Sequence, residues 1–233
     1  MAAADPHAPT AELHPSLADR RYLVLGGSGG IGSALTRRLV GRGAEVVVAA
    51  RRSEPLEQLA AELGGAVKVQ QVDARDFGAV QELVELVRGE GDGRLDGAVN
   101  CVGSILLKPA HLTSPDDFGE TIGHNLGSAF ALVRAMGRAA ARQPEGASVV
   151  LLSTVAARVG LANHEAIAAA KAGVEGLTRS AAATYAAAGI RVNAVAPGLT
   201  DTPLAARITS NERALEASKK MHPLGRIGTA DEI

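Results

Sequence analysis

The stretch YLVLGGSGGIGSALTRRL (residues 22–39) decides the fold. YLVL is a short apolar run suited to a strand buried on both faces. From Ile31 the period changes: Ile31, Leu35 and Leu39 fall at i, i+4 and i+8 on one helical stripe, with Arg37, Arg38 and Arg42 turned toward water. Gly41 and Gly43 are placed to end that helix. Between strand and helix lies GGSGGIG (residues 26–32). Glycines there permit positive φ, let the backbone approach a pyrophosphate without Cβ clashes, and aim a helix N-terminus at negative charge. The run fits two registers: Gly27, Gly29 and Gly32 as GxGxxG, or Gly26, Gly30 and Gly32 as GxxxGxG. Such a turn can be only a tight connection; placed after a strand and opening an amphipathic helix, it fits a dinucleotide site. No Lys-Ser or Lys-Thr pair follows, which argues against a kinase-type P-loop.

Outward from this unit the chain keeps alternating β-rich and helical runs, the pattern of a parallel sheet covered on both faces. Strands are expected over residues 22–26, 45–50, 66–72, 95–101, 148–153 and 190–196. The 233 residues, 46% hydrophobic and 21% charged, suit one α/β domain over residues 21–233, preceded by a polar tail over residues 1–20. With 24 basic and 25 acidic residues and 2% aromatics, nothing points to nucleic acid. No apolar run is long enough to span a membrane, and the N-terminus lacks the apolar core of a signal peptide. Cys101 stands alone, which fits a reducing, cytoplasmic setting, and the six histidines show no metal-ligand spacing.

After the second expected strand the sequence reads ARRSEPL, where an acidic residue would favour an unphosphorylated adenosine ribose. Cations stand there instead, so NADP(H) is expected over NAD(H), with Arg51 as the 2′-phosphate ligand. The alternative is a pair of solvated arginines. Asp73, after the third strand, could accept from the adenine amino group or cap the next helix.

Together GGSGGIG, Asp73, NCVG (residues 100–103), Asn125, AAAKAGV around Lys171 and NAVAPGLTDT (residues 193–202) resemble the short-chain dehydrogenase/reductase family, in particular members like the 3-oxoacyl-acyl-carrier-protein reductases. The resemblance implies a three-layer, doubly wound parallel sheet of the Rossmann type with strand order 3-2-1-4-5-6. A seventh, edge strand would lie beyond the last residues given. It also implies hydride transfer between nicotinamide and a carbonyl or alcohol carbon. Gly26, Ser28, Gly29, Gly30, Ile31 and Gly32 would form the pyrophosphate loop, Asn100 and Gly103 the turn after the fourth strand, and Pro197, Gly198 and Thr202 the nicotinamide segment. Leu25 stands where the family usually has Thr, and Cys101 and Val102 replace Asn and Ala. A buried, inert Cys101 is the expectation.

The catalytic set departs from the pattern. The family uses a Ser to polarise the carbonyl, a Tyr four residues before a Lys to deliver the proton, and an Asn to anchor a water relay. Asn125 and Lys171 are present, Thr154 takes the Ser position and Ile167 the Tyr position. Thr154 can still donate to a carbonyl oxygen, whereas Ile167 cannot transfer a proton. Tyr185 lies about 27 Å further along the same helix, and Tyr22 opens the first strand at the far end from the cofactor. His164, two turns before Lys171 on the same stripe and about 10 Å from it, could act as the acid, with Asn163 as N-cap. It could equally be a half-exposed histidine beside the cap. Lys171 would in any case bind the nicotinamide ribose.

The Ala- and Gly-rich run from Lys171 to Gly189 lets another helix approach closely, within the molecule or from a second copy, so a homodimer or homotetramer is expected. Residues 199–224 resemble a substrate lid. Two readings follow: an NADP(H)-dependent oxidoreductase for a small-molecule carbonyl or alcohol with a non-standard proton donor, or a catalytically silent dinucleotide-binding relative serving as partner subunit or regulator.

Overall fold

The computed structural model describes residues 16–90, 93–140, 143 and 145–233. Most of the expected tail lies outside these residues. Six parallel strands form the central sheet: β1 (Arg21–Leu25), β2 (Glu45–Ala50), β3 (Val67–Gln71), β4 (Gly97–Asn100), β5 (Ala147–Leu152) and β6 (Ile190–Val195), in the order β3-β2-β1-β4-β5-β6. The order reverses beside β1, so a crevice opens at the carboxyl ends of β1 and β4, where doubly wound sheets bind ligands. The registers Leu25↔Ala49, Leu25↔Asn100 and Leu152↔Val195 align these ends, so all following loops meet along one edge.

Period-two alternation divides the strands between two cores. Leu23, Leu25, Val47 and Ala49 face one cluster, whereas Val24, Val46 and Val48 face the other. Helices α1 (Gly30–Val40) and α2 (Glu54–Leu63) cover the second cluster through Leu35, Leu39, Leu56 and Leu59. The first is covered by α3 (Phe77–Gly89), α5 (Ser128–Ala140) and α6 (Glu165–Tyr185), with α4 (Pro115–Ile122) leading into α5. Full burial of side chains such as Leu23 and Leu151 contributes about 2–3 kcal/mol each. The parallel sheet covered on both faces is the one the alternating pattern predicts, and the doubly wound strand order is the one the family resemblance implies.

α6 uses its small residues within the molecule. Ala166, Ala170, Val174 and Ala181 face inward, and a Cβ on Gly173 would sit 2.8 Å from the Leu126 side chain. Tyr185 packs over Gly137 of α5, and Tyr22 lies against Gly97 at the amino end of the sheet, so neither tyrosine is near the carboxyl edge. Beyond β6 come a short strand β7 (Thr200–Asp201), α7 (Ala206–Thr209), α8 (Glu212–Met221) and β8 (Gly228–Thr229), which pairs with β7. Among the described residues, no helix is long and apolar enough to cross a membrane.

Candidate active site at the carboxyl edge

The first βα turn settles which glycine register is structural. Gly26 has φ +78, and a Cβ there would lie 2.8 Å from the Cys101 carbonyl carbon and the Val102 nitrogen. A Cβ on Gly30 would lie 2.6 Å from the Thr202 methyl, and one on Gly32 would overlap the Gly26 carbonyl. Gly29 is much freer, meeting only the Gly26 carbonyl at 3.3 Å. Gly26, Gly30 and Gly32 are thus required by the fold, and Gly27 is pressed on Val48. The N-terminus of α1 carries no side-chain cap and no acidic residue in its first turn, so its N–H groups suit a phosphate. Ser28 is half-buried beside them, and Ile31 is the first side chain of the helical stripe.

At the adenosine end, Arg51 is exposed just past β2. Its carbonyl accepts from Gln71 Nε2 at 2.8 Å, while no hydrogen bond or ion pair engages its guanidinium among the described residues. Asp73 does not cap α3; Asp76 does, accepting from the Gly78 and Ala79 amides. Asp73 instead pairs with Arg75 at 2.8 Å, whose side-chain hydrogen bonds, together with a bond from its backbone amide, hold the carboxyl down at about 2.

The turn after β4 brings the chemistry together. Asn100 is buried and fixes this turn, donating to Ser128 Oγ at 2.9 Å and accepting from the Val102 amide at 3.0 Å. A Cβ on Gly103 would lie 3.0 Å from Asn125 Oδ1 and 3.6 Å from Lys171 Nζ, so those two polar atoms converge where a side chain is missing. Asn125 sits in a π-turn (Gly123–Gly127) linking α4 and α5, which interrupts the α-helical ladder and turns the side chain inward. Its amide donates to Thr121 O and Ser104 Oγ and accepts from the Ser104 amide. Ser104, beside NCVG, is a contact that no sequence signal singles out.

Lys171 is buried on α6 and donates to Leu152 O at 2.7 Å. Burial lowers its pKa to about 8, with Cys101 opposing the shift. Cys101 lies just past β4 and is half-buried, not enclosed in the strand, and burial of its thiol pushes the pKa up to about 12, against the pull of Lys171. Thr154 follows β5 and donates to Pro197 O at 3.3 Å, which ties the β5 loop to the turn after β6. Val155 N donates to the same carbonyl at 3.0 Å.

The start of α6 differs from the expectation. Asn163 is not the N-cap; it has φ +63, a conformation its short amide side chain tolerates, and its carbonyl accepts from Lys108 N. His164 occupies the N-cap position without a capping side-chain bond, and its Nδ1 lies 2.7 Å from Ala162 O. Because a carbonyl only accepts, Nδ1 carries the hydrogen and Nε2 is the atom left for other partners. Ile167, four residues before Lys171, is buried.

A family model described as enoyl-(acyl carrier protein) reductase matches residues 26–233. The chain belongs to the short-chain dehydrogenase/reductase family. Its similarity to other short-chain dehydrogenases/reductases extends over nearly the whole chain. D-threitol dehydrogenase of Mycolicibacterium smegmatis is 34% identical, over 91% of this chain and 81% of that protein. The 3-oxoacyl-[acyl-carrier-protein] reductase FabG of Salmonella typhimurium is 33% identical, over 91% and 85%. A short-chain type dehydrogenase/reductase from Mycobacterium ulcerans superposes with a TM-score of 0.87 at 30% identity, covering 93% of this chain and 81% of that one. A Beutenbergia cavernae protein, assigned as an NAD(P)-dependent gluconate 5-dehydrogenase with NADP bound at low occupancy, gives 0.84 at 30% identity, covering 93% and 87%. Among the described residues no group of His, Cys, Asp and Glu could hold a metal ion.

Proposed function

We propose that this short-chain dehydrogenase/reductase is an NADP(H)-dependent oxidoreductase acting on a small carbonyl or alcohol, with a proton donor other than tyrosine. The observation that carries the reading is the convergence of Lys171 Nζ and Asn125 Oδ1 on Gly103. It lies on the carboxyl edge beside an uncapped, glycine-built helix N-terminus. The fit to a dinucleotide is physical: uncapped N–H groups for the pyrophosphate at Gly26, Ser28, Gly29, Gly30, Ile31 and Gly32, and an exposed Arg51 guanidinium for the 2′-phosphate. Asp73 would accept from adenine with whatever capacity its pairing with Arg75 leaves. Asn100 would act through the turn it fixes, Gly103 by leaving space, and Pro197, Gly198 and Thr202 by lining the nicotinamide end.

When bound, the nicotinamide supplies the carbon that gives or takes hydride. In this reading Lys171 holds the ribose with the donors not used on Leu152 O. Thr154 rotates its hydroxyl from Pro197 O to the substrate oxygen and stabilises charge there. Asn125 fixes the Ser104 segment opposite. His164 moves the proton through Nε2, its Nδ1 hydrogen being held by Ala162 O. Residues 21–233 form one domain with residues 199–224 as lid, and the protein works as a homodimer or homotetramer.

The test is calorimetric titration with NADPH and NADH, followed by turnover on a panel of carbonyl compounds. NADPH should bind more tightly, and turnover should be measurable. Tight NADPH binding with no turnover on any carbonyl would leave the silent relative, and preferred NADH binding would remove Arg51 from the site. With turnover in hand, an unchanged rate in His164→Ala would take the histidine out of the mechanism.

A further inference from the structure

Glu175 has no part in the site described above, yet it is a buried carboxylate one helical turn beyond Lys171 on α6. Its two oxygens hold different partners. Oε1 accepts from the Ser153 hydroxyl at 3.0 Å, and Oε2 accepts from Arg158 Nε at 2.9 Å, with Arg179 Nη1 4.0 Å away. Hydrogen bonding from Arg158 holds the carboxyl below its ordinary range, so near neutral pH it is ionised and both oxygens only accept.

These two partners are the ends of one short segment. Ser153 precedes Thr154, and Arg158 follows the 3₁₀ turn Val155–Ala157, which Thr154 caps by accepting from the Ala156 amide. The approach to the segment is gripped by the same helix: Lys171 Nζ donates to Leu152 O, and Lys171 O accepts from Ser153 Oγ at 3.2 Å. On the far side of the turn the grip is the Arg158 bond to Glu175. Among the described residues, the side-chain hydrogen bonds from this segment to α6 all end on Lys171 O or Glu175. The Thr154 hydroxyl itself rests on Pro197 O, the bond it gives up in reaching a substrate oxygen. What then keeps Thr154 in place relative to α6 is the pair of tethers on either side of it.

We propose that Glu175 is a positioning residue: its carboxylate joins Ser153 to Arg158 and so holds the Thr154 hydroxyl in register with Lys171. The inference rests on the reading above in which Thr154 stabilises charge on the substrate oxygen. It confines the effect of Glu175 to the reacting end, because the bond from Lys171 to Leu152 O does not involve the carboxylate.

The test compares wild type, Glu175→Gln, Arg158→Ala, Thr154→Val and the Glu175→Gln/Thr154→Val pair on a carbonyl compound that wild type turns over. Gln keeps an acceptor for Ser153 but gives up the ion pair, and Arg158→Ala removes the same contact from the other side. Each should lower kcat about tenfold, with KM and the calorimetric Kd for NADPH within about twofold of wild type. In the Thr154→Val background Glu175→Gln should cost nothing further, since the hydroxyl it positions is gone. Arg158→Lys, which restores a cation, should recover part of the lost kcat. A further tenfold loss in the paired variant overturns the proposal. So does an unchanged kcat in Glu175→Gln and Arg158→Ala, or a loss of NADPH affinity in step with kcat. Should Glu175→Gln fail to fold, Arg158→Ala carries the same comparison with Thr154→Val, because the Arg158 side chain is 70% exposed. A wild type that binds NADPH but turns over no carbonyl overturns the oxidoreductase reading itself, and this proposal with it.

Discussion

Ile167 and Lys171 set the residue-scale question, because one is buried and inert while the other is buried and charged. If, as proposed, Ile167 stands where the family places its proton donor and this limits turnover, Ile167→Tyr should raise carbonyl reduction by about 10²- to 10⁴-fold. Forcing a larger ring into a buried position should cost about 1–3 kcal/mol of stability. Steady-state kinetics beside a denaturant melt checks both, and a stable variant with unchanged kcat would mean that proton transfer is supplied elsewhere. Lys171 makes a second prediction through pH. Its pKa of about 8 means the ammonium is charged below that value and neutral above it. An anionic dinucleotide favours the charged form, so affinity should be greatest below pH 8. It should weaken as pH rises through 8, by no more than about tenfold per pH unit. In Lys171→Met that dependence should vanish. For folding the sign reverses: the folded pKa lies below the unfolded one, so charging the buried group below pH 8 opposes the fold. Lys171→Met should accordingly stabilise the apoprotein at pH 7 by about 1–2 kcal/mol, after loss of the Leu152 hydrogen bond. A thermal melt at pH 7 and pH 9 reads this difference.

The first βα turn offers the matching test among the elements. Gly32→Ala places a Cβ into the Gly26 carbonyl and should lower stability by about 3 kcal/mol or more, whereas Gly29→Ala meets only one atom at 3.3 Å and should leave the melt nearly unchanged. Equal melts for the two variants would refute the register read from the structure. The six strands agree with the sequence to within about two residues at each end, because buried parallel strands are apolar runs with little competing signal. Features set by longer-range fit were less legible. Asn163 has the composition of an N-cap, but its carbonyl is needed by Lys108 and the cap falls to His164. Asp73 precedes a helix as Asp76 does, and only the pairing with Arg75 tells them apart. The π-turn around Asn125 and the contact of His222 with Gly198 have no local signature. Lys171, Asn125 and Gly103 could be named in advance, but their convergence depends on how the π-turn and α6 meet the β4 loop.

For the whole molecule the remaining question is what covers the layer formed by α4, α5 and α6. Phe130 on α5 and Phe118 on α4 are each 46% exposed, and Phe130 touches Phe77 with ring centroids 5.8 Å apart. On α6 the outward positions include Ala169, Ala172 and Ala183, all exposed, which keep that surface low enough for another backbone to approach. In the homodimer or homotetramer proposed above, exposed phenyl rings and an alanine-lined helix are apolar surfaces that a second copy would cover. Light scattering should therefore give at least about twice the 23.7 kDa chain mass at micromolar concentration. Ala172→Arg adds a long cation to a position already exposed, so the fold should tolerate it while the assembly shifts toward the monomer. A monomeric wild type, or an Ala172→Arg variant assembled as fully as wild type, would show that this face is not where copies meet. If assembly and cofactor binding are lost together in Ala172→Arg, the cause runs through α6, since the helix that presents Ala172 outward also carries Lys171 against Leu152.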